Sequence, residues 1–194
     1  KNLVCSLYIH IPFCDIKCPY CAFNSFTTKD QLKKQYVDAL CKQLRSELKK
    51  VKTLTSIFIG GGTPSVLELC YYEQIFAELK NFDTKNIEVT TEANPTATKQ
   101  WLEGMRAYAN RVSFGVQSFD DNKLKELGRS HTSNRAIKAI QDAKCIGFKS
   151  INCDIIYGFK GDDFNSLKRD FDIITTLPID HLSAYSLTIE EGTK

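Results

Sequence analysis

Three cysteines crowd into one short stretch, His10-Ile11-Pro12-Phe13-Cys14-Asp15-Ile16-Lys17-Cys18-Pro19-Tyr20-Cys21, with the spacing C-x3-C-x2-C. Three thiolates on one loop can converge on a soft metal centre, because thiolates select zinc, copper(I) or iron–sulfur clusters. A structural zinc site wants four ligands, normally as two separated pairs. His10 or Asp15 could supply a fourth ligand, but the sequence has no second C-x2-C or H-x3-H pair. A 4Fe–4S cluster is usually held by four cysteines, so three would leave one iron open for chemistry. The remaining cysteines, Cys5, Cys41, Cys70, Cys145 and Cys153, are scattered through apolar patterns and are expected to be small buried hydrophobes. A secreted disulfide scaffold would be shorter and richer in loops.

Other polar residues stand where apolar runs end. Ile59-Gly60-Gly61-Gly62-Thr63-Pro64 lets the backbone come close to a ligand, although a plain strand-to-helix turn would read the same way. It lacks the G-K-[ST] ending of a P-loop. Glu92, in Thr91-Glu92-Ala93-Asn94-Pro95, can accept hydrogen bonds from ribose hydroxyls or an ammonium, or can simply cap or pair. Gln117, in Gly115-Val116-Gln117-Ser118-Phe119, offers both a donor and an acceptor. Arg129, in Leu127-Gly128-Arg129-Ser130-His131, is suited to hold a carboxylate bidentately or to sit solvated at the surface. Asp154 lies inside the apolar run Ser150–Tyr157, where a carboxylate is costly unless paired or liganded.

These positions need a scaffold. Six short β-branched or aromatic runs stand out: Leu3–Ile11, Ser56–Ile59, Ile87–Glu92, Arg111–Gly115, Ser150–Tyr157 and His181–Leu187. They are near-continuously apolar, as parallel strands covered on both faces would be. Helical patterns separate them. In Asp30–Val51, Leu32, Tyr36, Leu40, Leu44 and Leu48 recur every four residues. Glu68–Lys80 and Thr96–Ala107 are similar, Asn134–Ile146 closes at a Gly147 cap, and a last helix starts near Asp162–Asp163 and stops before Pro178. Repeated β-α units imply a parallel sheet, either a doubly wound open sheet or a partial (β/α)6 TIM-like barrel, with function at the carboxyl ends of the strands.

The 194 residues are 42% hydrophobic and 25% charged, with a formal net charge of +3. Disorder is excluded by that composition, and the charge is too weak to argue for nucleic acid. No apolar run approaches the roughly 20 residues of a membrane helix, and no secretory leader is visible. One cytoplasmic α/β domain over residues 1–194 is expected.

The cluster spacing combined with six β-α units resembles the radical S-adenosylmethionine superfamily. Tyr-Ile-His-Ile-Pro-Phe-Cys (residues 8–14), the triple-glycine turn, Gly-Val-Gln-Ser-Phe (115–119) and Asp-Ile-Ile-Tyr-Gly (154–158) narrow the likeness to two related groups. These are oxygen-independent coproporphyrinogen III oxidase and the HemW-type haem chaperone. The resemblance implies that Cys14, Cys18 and Cys21 hold a 4Fe–4S cluster whose open iron chelates S-adenosylmethionine. It implies cofactor contacts from Tyr8, Tyr20, Gly61, Gly62, Thr63, Glu92, Gln117, Arg129, Asp154 and Thr188. One electron would then cleave the sulfonium to methionine and a 5′-deoxyadenosyl radical. Phe23 stands where the oxidase has a further cysteine, and only seven residues precede Tyr8 where the oxidase has an extension; both favour the chaperone group. The partners implied are haem or a porphyrinogen, an electron donor and a haem-acceptor protein. His10 would support the cluster, while His131 and His181 read as ordinary histidines. Both groups are about twice this length, so a core without its C-terminal domain is expected; at about 250 residues per eight-unit barrel, 194 residues correspond to about six units.

Overall fold

The computed structural model describes residues 2–27, 30–191 and 193. Its main sheet comprises β1 (Leu3–Ile11), β4 (Val51–Gly61), β5 (Glu88–Ala93), β6 (Arg111–Gln117), β7 (Ser150–Tyr157) and β8 (His181–Ser186), side by side in that order. Every neighbouring pair is parallel. Two-residue strands β2 (Phe13–Cys14) and β3 (Phe26–Thr27) pair with each other and pin the two ends of the cysteine loop. The helices are α1 (Asp30–Glu47), α2 (Leu69–Ala77), α3 (Lys99–Met105), α4 (Asp121–Glu126), α5 (Ser133–Ile146) and α6 (Phe164–Ile174). This is the partial barrel rather than the doubly wound sheet. Among the described residues, no helix is long and apolar enough to cross a membrane.

One face of each central strand carries the core. Val89 and Ala93, Val112, Phe114 and Val116, and Ile151, Cys153 and Ile155 are buried. They form one cluster with Trp101, Leu102, Ala136, Ile140 and Ala143 of α3 and α5. Burial of this apolar surface is the main stabilising term, at roughly 25 cal/mol per Å². The expectation of near-continuously apolar strands is corrected here: between the core positions stand Thr90, Glu92, Arg111, Ser113, Asn152 and Asp154, which form a polar concave wall in which Thr90, Ser113 and Asn152 are buried.

Several boundaries also shift. Helix α1 ends at Glu47, a 3-10 turn spans Leu48–Lys50, and Val51 opens β4 instead of closing the helix. The run Val51–Ile59 has the β-branched alternation of a strand, and its pairing along β1 outweighs the weak helical stripe. Helix α3 starts at Lys99 because the Thr98 side chain caps Trp101 N–H. The short α4, capped by Asp120, has too few turns to show a period. Thr132 caps α5, and Gly147 ends it in the left-handed region at φ +98° as expected. Of the five scattered cysteines, Cys41 and Cys153 are buried and Cys5 is half-buried, but Cys70 and Cys145 are exposed on α2 and α5, contrary to expectation.

Candidate functional site: a three-cysteine loop over a polar cleft

The carboxyl ends of β1, β4, β5 and β6 surround one cleft of about 160 Å³. Cys14, Cys18, Cys21 and Tyr20 line it from the loop. Gly61, Gly62, Thr63, Glu92, Gln117 and Asp154 line it from the strands and their ends, and Arg129 from the segment between α4 and α5. Eleven of the thirteen residues named from the sequence are thus brought together. Two are not. Tyr8 is 56% exposed on the concave wall, stacked on Phe58 at 6.1 Å. Thr188 is exposed, two residues beyond the end of β8.

The cysteine loop is held from several sides. Gly62 N–H donates to Ile11 O at 2.8 Å and Thr63 N–H to Phe13 O at 2.7 Å, continuing the sheet into the loop. A Cβ on Gly61 would lie 2.6 Å from the His10 ring, and one on Gly62 would lie 2.7 Å from Phe13 O and 3.0 Å from Cys14 Sγ. Any larger residue would push the loop away. His10 ties the other side: its Nε2 lies 2.8 Å from Asn24 O, which can only accept, so Nε2 carries the proton. Its Nδ1 then accepts Tyr8 OH at 3.0 Å. The Thr63 hydroxyl donates to Cys14 Sγ and Arg129 Nη1 to Cys18 Sγ, each at 3.3 Å. Arg129 is therefore not an open clamp, because its Nη2 donates to Gly115 O at 2.7 Å.

The electrostatics of the cleft are unbalanced. The Glu92 carboxylate accepts Gly61 N–H at 3.1 Å and forms no ion pair among the described residues. Burial pushes its pKa up to about 7 against the Gly61 hydrogen bond, and the Asp154 charge adds to the rise. Burial also raises Asp154, opposed by hydrogen bonds from neighbours including Asn152 and Ser113. Tyr20 is held protonated by burial. Gln117 has φ +74°, the only positive φ of a non-glycine residue among those described, at an irregularity in the β6–β7 register. Backbone held in such a region commonly marks a site.

Sequence reasoning missed Ser113 and Asn152, which orient Asp154, and Thr63 as a sulfur donor. Their signal was the polar alternation within β6 and β7. The donor set fits an iron–sulfur cluster and a cofactor bearing an amine and a carboxylate. It offers three free thiols on one loop, a carboxylate, Glu92, with no ion pair among the described residues, and an arginine whose Nε is buried without a partner. No three His, Cys, Asp or Glu side chains among the described residues are grouped to hold a single metal ion. A cubane takes one thiolate per iron, so its ligands need not meet at one point.

Comparison with known proteins agrees with this geometry. Residues 8–174 match the family model described as the Radical SAM superfamily. The chain belongs to that superfamily, whose members use a 4Fe–4S cluster and S-adenosylmethionine. Within it, the likeness is to the HemW and HemN types. The heme chaperone HemW of Haemophilus influenzae is 40% identical over 202 residues, which cover 97% of this chain and 52% of that protein. HemW of Escherichia coli K12 is 39% identical over 97% of this chain and 52% of its own length. Among solved structures, coproporphyrinogen III oxidase (HemN) from Escherichia coli superposes with a TM-score of 0.87 at 30% identity, covering 95% of this chain and 44% of that one. The chain spans about half the length of the curated relatives it matches.

Proposed function

We propose that this chain is the cofactor-binding core of a HemW-type haem chaperone that binds haem and delivers it to an acceptor protein in the cytoplasm. The observation that carries this reading is the run of relatives named heme chaperone HemW, 34–40% identical over 96–97% of the chain. Phe23, in place of the oxidase's further cysteine, supports the same group.

In this reading Cys14, Cys18 and Cys21 hold the cluster. Glu92 receives the amine of S-adenosylmethionine, Arg129, whose Nε alone lacks a partner, contacts its carboxylate, Gln117 and Asp154 take its hydroxyls, and Tyr20 packs near its adenine. When bound, the cluster and cofactor supply one-electron reductive chemistry; the chain supplies orientation and exclusion of water. Glu92 meets an ammonium as a carboxylate with no cation of its own, so binding returns the charge that burial disfavours. The Gly61-Gly62 backbone keeps the floor of the cleft close to the loop.

Full-length protein tested in parallel for haem transfer to an apo-acceptor and for anaerobic turnover of coproporphyrinogen III decides the activity. Haem transfer without turnover is expected; turnover without transfer refutes the chaperone reading in favour of the oxidase. Anaerobic reconstitution tests the cluster. The parent should take up about four irons per chain, as its 4Fe–4S assignment requires, and Cys18→Ala should lose them. Retention of iron by the variant would sink the ligand assignment.

A further inference from the structure

Arg129 has an expected partner in the cofactor's carboxylate, but its side chain is already engaged elsewhere. Nη1 donates to Cys18 Sγ at 3.3 Å, Nη2 donates to Gly115 O at 2.7 Å, and Nε is buried with no partner. The segment that carries it is braced against both walls of the cleft. Gly128 sits at φ +69°, and a Cβ there would lie 2.7 Å from Pro19 Cδ, so the backbone packs directly on the residue after Cys18. Three residues further on, buried His131 donates from Nε2 to Val116 O at 2.9 Å, fixing the peptide before Gln117. A Cβ on Gly115 would lie 3.2 Å from Gln117 Nε2 and 3.5 Å from Arg129 Nη2, so this strand end is also shaped around the guanidinium.

We propose that Arg129 is a positioning residue for the cluster itself: through the Gly128–His131 brace it holds the Cys18 sulfur with a charged N–H donor and thereby raises the reduction potential of the cluster. The physical ground is general. Hydrogen bonds to cluster sulfurs are among the factors that set the potential, and a charge-assisted donor withdraws more electron density from a thiolate than a neutral one. Partners of this kind also fix the orientation of the ligands they touch. The fork makes the effect specific to arginine, because a lysine ammonium cannot span Cys18 Sγ and Gly115 O in one plane. The proposal rests on Cys18 being a cluster ligand.

The test is redox titration of the anaerobically reconstituted full-length protein without S-adenosylmethionine, followed by electron paramagnetic resonance. Removing the cofactor removes any contribution from its carboxylate. Arg129→Met, Arg129→Gln and Arg129→Lys are compared with the parent, together with the rate at which each loses iron to a chelator. The cluster in Arg129→Met should have the most negative potential and lose iron fastest, with Gln and Lys intermediate. If Met does not load iron, the Gln and Lys variants carry the comparison. Variants that match the parent in both potential and chelation rate would overturn the proposal while leaving the cluster intact. A parent that takes up no iron and sulfide would overturn the cluster reading, and the proposal with it.

Discussion

Replacing Glu92 with glutamine should stabilise the cofactor-free chain, and more so as the pH rises. The Glu92 pKa is raised from 4.5 to about 7, chiefly by burial. The native state therefore keeps this proton after the unfolded chain has lost it, and stability falls as pH rises between those values. Each pKa unit corresponds to 1.36 kcal/mol, so the native carboxylate costs about 3 kcal/mol above pH 7. Glutamine fills nearly the same volume and keeps an oxygen for Gly61 N–H, but carries no charge. The difference in unfolding free energy between variant and parent should be near zero at pH 4.5. It should grow by about 1.4 kcal/mol per pH unit and level off near pH 7. Comparing the two proteins is essential, because burial lowers His131 to about 4 and gives the parent an opposing slope over much of the same range. Urea denaturation followed by the fluorescence of Trp101, the single tryptophan, at pH 4.5, 5.5, 6.5 and 7.5 makes the measurement. A difference that does not change with pH, or a variant less stable than the parent at pH 7.5, would refute the reasoning. The same variant should bind S-adenosylmethionine more weakly once the cluster is loaded, so that stability and function pull in opposite directions at this position.

Three further outcomes follow from the geometry. Gly62→Ala places a methyl group 2.7 Å from Phe13 O, so chemical denaturation should show a loss of about 1–3 kcal/mol and reconstitution should show reduced iron uptake; parent-like values in both would contradict the close approach. His131→Gln retains an N–H donor for Val116 O but removes the titration. The parent's pKa falls from 6.5 to about 4 in the native state, so the unfolded chain binds the extra proton in that window and the parent loses roughly 3 kcal/mol relative to the variant as pH drops through it, which acid titration of stability would detect. Asp170→Ala strips the acceptor from Ser118 OH at 2.8 Å and Phe119 N–H at 2.7 Å, both buried, and should cost about 2 kcal/mol in denaturant unfolding, with a loss under 0.5 kcal/mol showing that water or another group replaces the carboxylate.

What was legible in the sequence depended on how local the signal was. The strand positions and the capped helix ends showed through period and cap chemistry, because both are fixed within a few residues. The cleft was legible because motif residues at four strand ends must share one rim in a parallel sheet. Two kinds of feature were not. The Val51 boundary depends on β4 finding β1 as a neighbour along most of its length, and that long-range pairing decides between a strand alternation and a helical stripe that overlap locally. The direction of the Arg129 side chain was not legible, because sequence position locates the Cα, whereas Cys18 Sγ and Gly115 O determine where the guanidinium points. Thr188 shows the same limit from the other side: expected on the sixth strand, it stands exposed two residues beyond the end of β8 and is not among the residues lining the cleft.

The concave wall explains how two carboxylates can face one cleft. Register sets Glu92 beside Ser113 and Gly115 beside Asp154, so β6 separates the two acids with a hydroxyl and a bare backbone rather than with a cation. Repulsion between them is eased through Asn152, one position below. Its Nδ2 donates to Asp154 Oδ1 at 2.6 Å and to Ser113 Oγ at 2.7 Å, while its Oδ1 accepts from Ser183 OH at 3.2 Å. Asp154 is thus solvated by the protein, and Glu92, with a single backbone donor, is not. The two acids differ in environment for that reason: Asp154 is an acceptor in a satisfied network, and Glu92 has a single backbone donor and no cation partner among the described residues. An arginine placed in β6 between them would satisfy both acids permanently and close the cleft to an ammonium ligand.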